Sequence, residues 1–123
     1  MTVTNVSKDT SSLTMEIVSE FSATIERVWE LASDPRQLER WWGPPTHPAT
    51  FTDFDLTPGG AVSYFMTGPD GEQYHGWWRV REVDPPNVLE VQDGFADDDG
   101  APNPDLPVNV MRIEIAADGD ITR

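Results

Sequence analysis

The sequence predicts an α+β fold, a curved antiparallel β-sheet of about six strands with two short helices placed after the first of them. Three observations lead there. Apolar residues alternate up to Phe21, repeat with helical spacing between Ser22 and Trp42, and alternate again after Pro48. The later apolar runs are separated by turn clusters too short to hold a crossover helix, which favours antiparallel neighbours. A chain of 123 residues without a cysteine is also long enough for one core that needs no covalent staple.

Residues 1–12 are a Thr/Ser/Asn-rich lead with no sustained apolar run, expected to be flexible and to precede a single domain over residues 13–123. Leu13, Met15, Ile17 and Phe21 then alternate with polar neighbours as a half-buried first strand. Ile25, Val28, Trp29 and Ala32 recur at i, i+3, i+4 and i+7, one stripe of a short amphipathic helix that Ser22 or Thr24 caps. Asp34-Pro35 starts a second helix, because aspartate accepts from free N–H groups and proline at the first helical position forfeits no bond. Leu38, Trp41 and Trp42 form its apolar face, and Gly43-Pro44-Pro45 ends it.

Strands follow at about 50–56, 61–67, 73–83, 88–92 and 108–116. The turn formers Pro58-Gly59-Gly60, Gly68-Pro69-Asp70-Gly71, Asp84-Pro85-Pro86-Asn87 and Asp118-Gly119 punctuate them, and Ile121-Thr122-Arg123 begins a return strand. A polar loop spans 93–105. Val62, Tyr64 and Met66 share one strand face, as do Gly76, Trp78, Val80 and Glu82, while Trp77 points the opposite way from Trp78. Aromatic faces with glycines at the bends describe a sheet wrapped around something.

Charge and composition exclude several functions. Eight basic residues, seven arginines and Lys8, face 22 acidic ones for a net charge of −14, a field that repels nucleic acid and anionic membranes. No stretch approaches the roughly 20 apolar residues of a spanning helix, and the lead lacks both regions of a signal peptide, so a cytoplasmic location is expected. Without cysteine there is no thiolate nucleophile and no cysteine-based zinc site. Gly59-Gly60 and Gly68–Gly71 sit between strands with no following lysine, so they are turns rather than phosphate loops, and no cofactor is expected.

The candidate site residues are aromatic. Trp41 and Trp42 read first as core and second as the rim of a cavity; Phe54, Val62, Tyr64, Met66, Trp78 and Val80 are candidates for its lining, with Tyr74 as a polar group. His75 reads first as a partly exposed strand histidine, and it is the one candidate general base; His47 is a loop residue. Asp53 and Asp55 read as solvated carboxylates. Asp97-Asp98-Asp99 lacks the spacing of a calcium loop, so no metal site is expected. Arg79 and Arg81 are expected to pair with carboxylates across strands.

Residues 23–35, Ala-Thr-Ile-Glu-Arg-Val-Trp-Glu-Leu-Ala-Ser-Asp-Pro, followed by Leu38 and Trp41-Trp42-Gly43-Pro44, resemble the START-like superfamily known as SRPBCC. Asp55-Leu56-Thr57-Pro58-Gly59-Gly60 with Val62 and Tyr64, then His75-Gly76, Val83-Asp84-Pro85-Pro86 and Leu89, resemble its branch of homologues of the activator of the heat-shock chaperone ATPase. The resemblance implies a helix-grip fold, a sheet curled around a long C-terminal helix with a cavity between them. The 123 residues stop short of that helix, so the domain is expected to be truncated or to be completed by a second copy as a homodimer. The function so implied is binding of a small apolar or amphipathic molecule. Two alternatives remain open, a polyketide cyclase- or aromatase-like enzyme and a module that acts on a chaperone partner.

Overall fold

The computed structural model describes residues 2–97, 101–106, 108–118 and 121–122. Its centre is a five-stranded antiparallel meander of β3 (Ala49–Phe54), β4 (Ala61–Thr67), β5 (Gln73–Asp84), β6 (Val88–Phe95) and β7 (Val108–Glu114), in that spatial order. A hairpin of β1 (Thr2–Asp9) and β2 (Thr14–Glu20) precedes it, and β8 (Ala117–Asp118) pairs with β9 (Ile121–Thr122) after it. Helices α1 (Ile25–Ser33) and α2 (Pro35–Leu38) lie between β2 and β3. This is the expected α+β class, with a curved antiparallel sheet and two short helices.

The first hairpin departs from expectation. Residues 2–9, expected to be flexible, pair with β2 in register from Thr2↔Glu20 to Asp9↔Thr14. The reason is local: the Asp9 carboxylate accepts from the Ser11 and Ser12 amides and the Ser11 hydroxyl, closing a turn that returns the chain on itself. Nor is the first part of β2 half-buried. Val6 pairs with Ile17 and Lys8 with Met15, placing Val6, Met15 and Ile17 on one face, where they remain 52%, 60% and 54% exposed.

The two helices form as the capping residues dictate. Thr24 accepts from the Arg27 amide. Asp34 serves twice: its N–H donates to Glu30 at the end of α1, and its carboxylate accepts from the Arg36 amide at 2.9 Å to begin α2. Val28, Ala32 and Leu38 are buried, the last two in one cluster with the inner face of the sheet. The second helix is shorter than its apolar spacing suggests. It stops at Leu38, and Trp42 follows in a turn whose amide still bonds to the Leu38 carbonyl.

Helix α2 also guards the edge of the sheet. On the outer strand β3, the Phe51 N–H donates to Glu39 Oε2 at 2.7 Å and the Phe51 carbonyl accepts from Arg36 at 2.8 Å, while Arg36 and Glu39 pair with each other at 3.3 Å. Two groups of an open ladder are thereby occupied by side chains of the preceding helix, as edges require.

The inner face of the meander buries Phe51, Val62, Tyr64, Trp78, Val80, Leu89 and Val91. Trp77 faces outward, as alternation demands. Glu82 does not share the face of Trp78 and Val80: the register slips between Val80↔Val91 and Glu82↔Glu90, so the bulge at Arg81 sends Glu82 outward and returns Val83 to the core. On the outer side Arg81 pairs with Glu90 at 3.4 Å, and Arg112 reaches Glu82, Glu90 and Glu114 at 3.0–3.3 Å. Ile113 and Met111 of β7 close the inner face. The chain end returns to the helices: Phe21 and Thr122 exchange backbone bonds at 2.9 Å, and the Thr122 hydroxyl donates to the Ala23 carbonyl at 2.7 Å. Gly119 and Arg123, part of the expected turn and return strand, lie outside the described residues, as do Asp98 and Asp99.

Because Asp34 closes one helix and opens the next, its replacement acts on both. Asp34→Ala should cost about 1 kcal/mol of unfolding free energy in a urea titration, and Asp34→Asn clearly less, since asparagine also caps.

Candidate functional site

The site grows from one cross-strand pair. Tyr64 of β4 lies opposite Gly76 of β5, and its ring covers the glycine so closely that a Cβ there would sit 2.3 Å from Cζ. Only glycine permits this approach. One strand further on and on the other side of the sheet, Trp77 lies over Gly94 in the same manner, with an added Cβ 2.8 Å from the indole and its Nε1 donating to the Phe95 carbonyl at 2.9 Å. These pairs bring β4, β5 and β6 into a tight local arrangement and aim the Tyr64 hydroxyl along the sheet at β6.

There it meets Asp93. The hydroxyl donates to Asp93 Oδ1 at 2.9 Å, and Asp93 itself lies opposite Trp78. Burial is the main force on both groups. It lifts the Asp93 carboxyl above its ordinary value, opposed by the Tyr64 hydrogen bond and the neighbouring Trp78 indole; it lifts the Tyr64 phenol further from titration, helped by the adjacent Asp93 charge. Tyr64 is thus a fixed donor at neutral pH. The buried Trp78 Nε1–H has no hydrogen-bond partner among the described residues, so its effect on Asp93 is one of proximity and not of a closed bond.

Over this polar pair stands Trp42. Its ring meets Trp78 edge-on at 4.9 Å, Tyr64 at 5.9 Å and Phe51 at 6.4 Å, an arrangement that aromatic quadrupoles favour. The turn after α2, carrying Trp42, Gly43 and Pro44, therefore forms one wall of a cavity of about 250 Å³. Tyr64 and Met66 of β4 form the floor. Asp93, Gly94 and Phe95 of β6, with Asn109 of β7, form the far side. Among these lining residues Asp93 alone carries a charge. A second hollow, between residues 22–26 and Ala117 and Thr122, is wider but has no aromatic wall.

The sequence candidates separate accordingly. Trp42, Tyr64 and Met66 line the cavity. Val62, Trp78 and Val80 are core residues at most 1% exposed, and Phe54 packs beside them, so they support the floor without lining it. Trp41 is 46% exposed and turned away, its Nε1 donating to the Leu31 carbonyl at 2.8 Å, which ties the turn to α1. Tyr74 is exposed near the end of its strand, its ring 5.7 Å from that of His47. His75 stands opposite Phe65 with the rings 5.8 Å apart, on the sheet face away from Tyr64 and the cavity. Asp55 accepts from the Thr57 hydroxyl at a turn, and Asp53 is exposed. Among the described residues no group of three or more metal-binding side chains occurs, and no helix is long and apolar enough to cross a membrane.

Asp93 was not among the sequence candidates, because the polar 93–105 segment reads as loop from its first residue. The signal available was the length of β5, since a strand holding Trp77 and Trp78 needs a partner that reaches Gly94.

Comparison with known proteins agrees with this architecture. Residues 22–123 match the family described as Activator of Hsp90 ATPase homolog 1-like protein. The crystal structure of protein Ms6760 from Mycobacterium smegmatis is 51% identical, with a TM-score of 0.83, over 98% of this chain and 74% of that one. The solution structure of a protein from Arthrobacter aurescens is 48% identical, with a TM-score of 0.91, over 98% and 70%. One from Staphylococcus epidermidis is 25% identical with a TM-score of 0.76, over 85% and 63%. No match was found among curated proteins.

Two outcomes follow from the geometry. Gly76→Ala drives a methyl into the Tyr64 ring and should destabilise the domain by about 1–3 kcal/mol in denaturant titrations. Asp93→Asn should have the opposite sign at neutral pH. With its folded value raised, the carboxyl binds its proton more readily in the native than in the unfolded chain, so stability falls as pH rises through that raised value and stays low above it. The asparagine variant should therefore exceed the parent in denaturant midpoint at about pH 7, and the difference should close as pH is lowered toward about 4.

Proposed function

Since this chain belongs to the Activator of Hsp90 ATPase homolog 1-like family, we propose that it binds a small apolar or amphipathic molecule in the cavity between Trp42 and the inner face of the sheet. The observation that carries this reading is the part-buried hydrogen bond between Tyr64 and Asp93 at the wall of a largely apolar hollow. Ligand sites are mostly apolar concavities with a few placed polar groups, and a polar pair retained beside a tryptophan cluster costs stability that a purely structural core would recover with apolar side chains. Trp42 and Met66 supply contact area, Tyr64 a fixed donor and Asp93 an acceptor. The family description also suggests a role on a chaperone, a separate reading that stimulation of a purified chaperone ATPase by this chain would support.

An enzymatic role resembling the polyketide cyclases would have to run through Tyr64 and Asp93, because His75 faces away from the cavity. Binding is the simpler use of the same residues.

The neutral probe N-phenyl-1-naphthylamine should bind one to one, with saturable enhancement of its fluorescence. Trp42→Ala should weaken it about tenfold or more, whereas Trp41→Ala, outside the cavity, should leave it unchanged. Equal losses in the two variants, or no saturable binding by the parent chain, would remove the cavity from consideration.

A further inference from the structure

The cavity has an electrostatic character that the ligand-binding reading leaves unspecified. Of the described residues that line it, Asp93 is the one with a charge, and no arginine, lysine or histidine is among them. The carboxylate is satisfied on one side only by a neutral donor, the Tyr64 hydroxyl on Oδ1. Even partial burial makes an unpaired carboxylate costly, and charges withdrawn from water are ordinarily paired with a charge of opposite sign. Here the described residues of the wall offer none. The rings of Trp42 and Tyr64 line the same cavity with their centroids 5.9 Å apart, and aromatic faces attract cations and repel anions. The chain as a whole carries −14, which concentrates cations at its surface and discourages anions.

Resting on the proposed binding role, we propose that the site selects its ligand by charge, taking a compact aromatic or alicyclic molecule with one amine, whose ammonium group pairs with Asp93 while its ring packs on Trp42 and Met66. An anionic amphiphile, such as a fatty acid or an aryl carboxylate, finds no counter-charge and meets Asp93 instead. A neutral alcohol keeps the hydrogen bond and forgoes the ion pair, so it stands between the two.

Three ligands with one ring system test this by titration calorimetry on the full chain near pH 7: 1-naphthylmethylamine, 1-naphthalenemethanol and 1-naphthoate. The amine should bind about tenfold or more tighter than the alcohol, and the acid weakest. Asp93→Asn should remove the amine's advantage, bringing amine and alcohol to within about twofold of each other. Asp97→Asn, which removes the same charge from an exposed site nearby, should preserve the preference. Acid binding as tight as amine binding would overturn the proposal, as would equal effects of the two variants, which would reduce the preference to overall charge. If the alcohol binds well and the amine no better, charge selection fails while the cavity stands. If none of the three binds, both fall. The ranking on the parent chain decides the matter even if a variant does not fold.

Discussion

The contact on which the rest of the site depends is the ring of Tyr64 laid over Gly76. A Cβ at position 76 would occupy the space of the ring itself, so the phenol can lie flat along the sheet only because that residue has no side chain. Once flat, its hydroxyl reaches β6 and finds Asp93. A tyrosine standing upright from the strand would fill the hollow beneath Trp42 and leave the Asp93 carboxylate without a donor. The glycine thus determines both the shape of the floor and the chemistry of the wall.

The surrounding core makes that arrangement rigid. Trp42, Phe51, Phe54, Tyr64 and Trp78 meet in edge-on or tilted contacts with centroids 4.9–6.5 Å apart. They come from three strands and the turn after α2, so each ring constrains the others across the fold. The turn is fixed from outside by the Trp41 indole bond to Leu31, and β3 is fixed by Arg36 and Glu39. Two adjacent tryptophans therefore do different work. One braces the helices and the other forms a wall.

Asp93 is the costly member. Its burial raises its carboxyl and lowers stability wherever the group is ionised, and Tyr64 returns only part of what water supplied. A domain that retains such a group beside an aromatic hollow has an electrostatic feature available to a ligand, and this connects the stability of the fold to the chemistry proposed for it.

Local chemistry in the chain was enough for the elements and for much of the core. Thr24, Asp34 and Pro35 announce the helices, the Gly/Pro clusters announce the turns, and alternation in 61–67 and 73–80 correctly places Val62, Tyr64, Trp78 and Val80 on the inner face. Regular alternation failed where a bulge intervened, at Glu82, and where pairing came from a polar partner, in residues 2–9. The site was decided by tertiary structure. Tyr64, Gly76 and Asp93 are separated by 12 and 17 residues in sequence, and nothing in its own segment ties any one of them to the others: an aromatic in a strand, a glycine in a strand, an aspartate at the start of an acidic run. Strand register across β4, β5 and β6 is what brings them together, and register depends on pairing partners that no single segment contains.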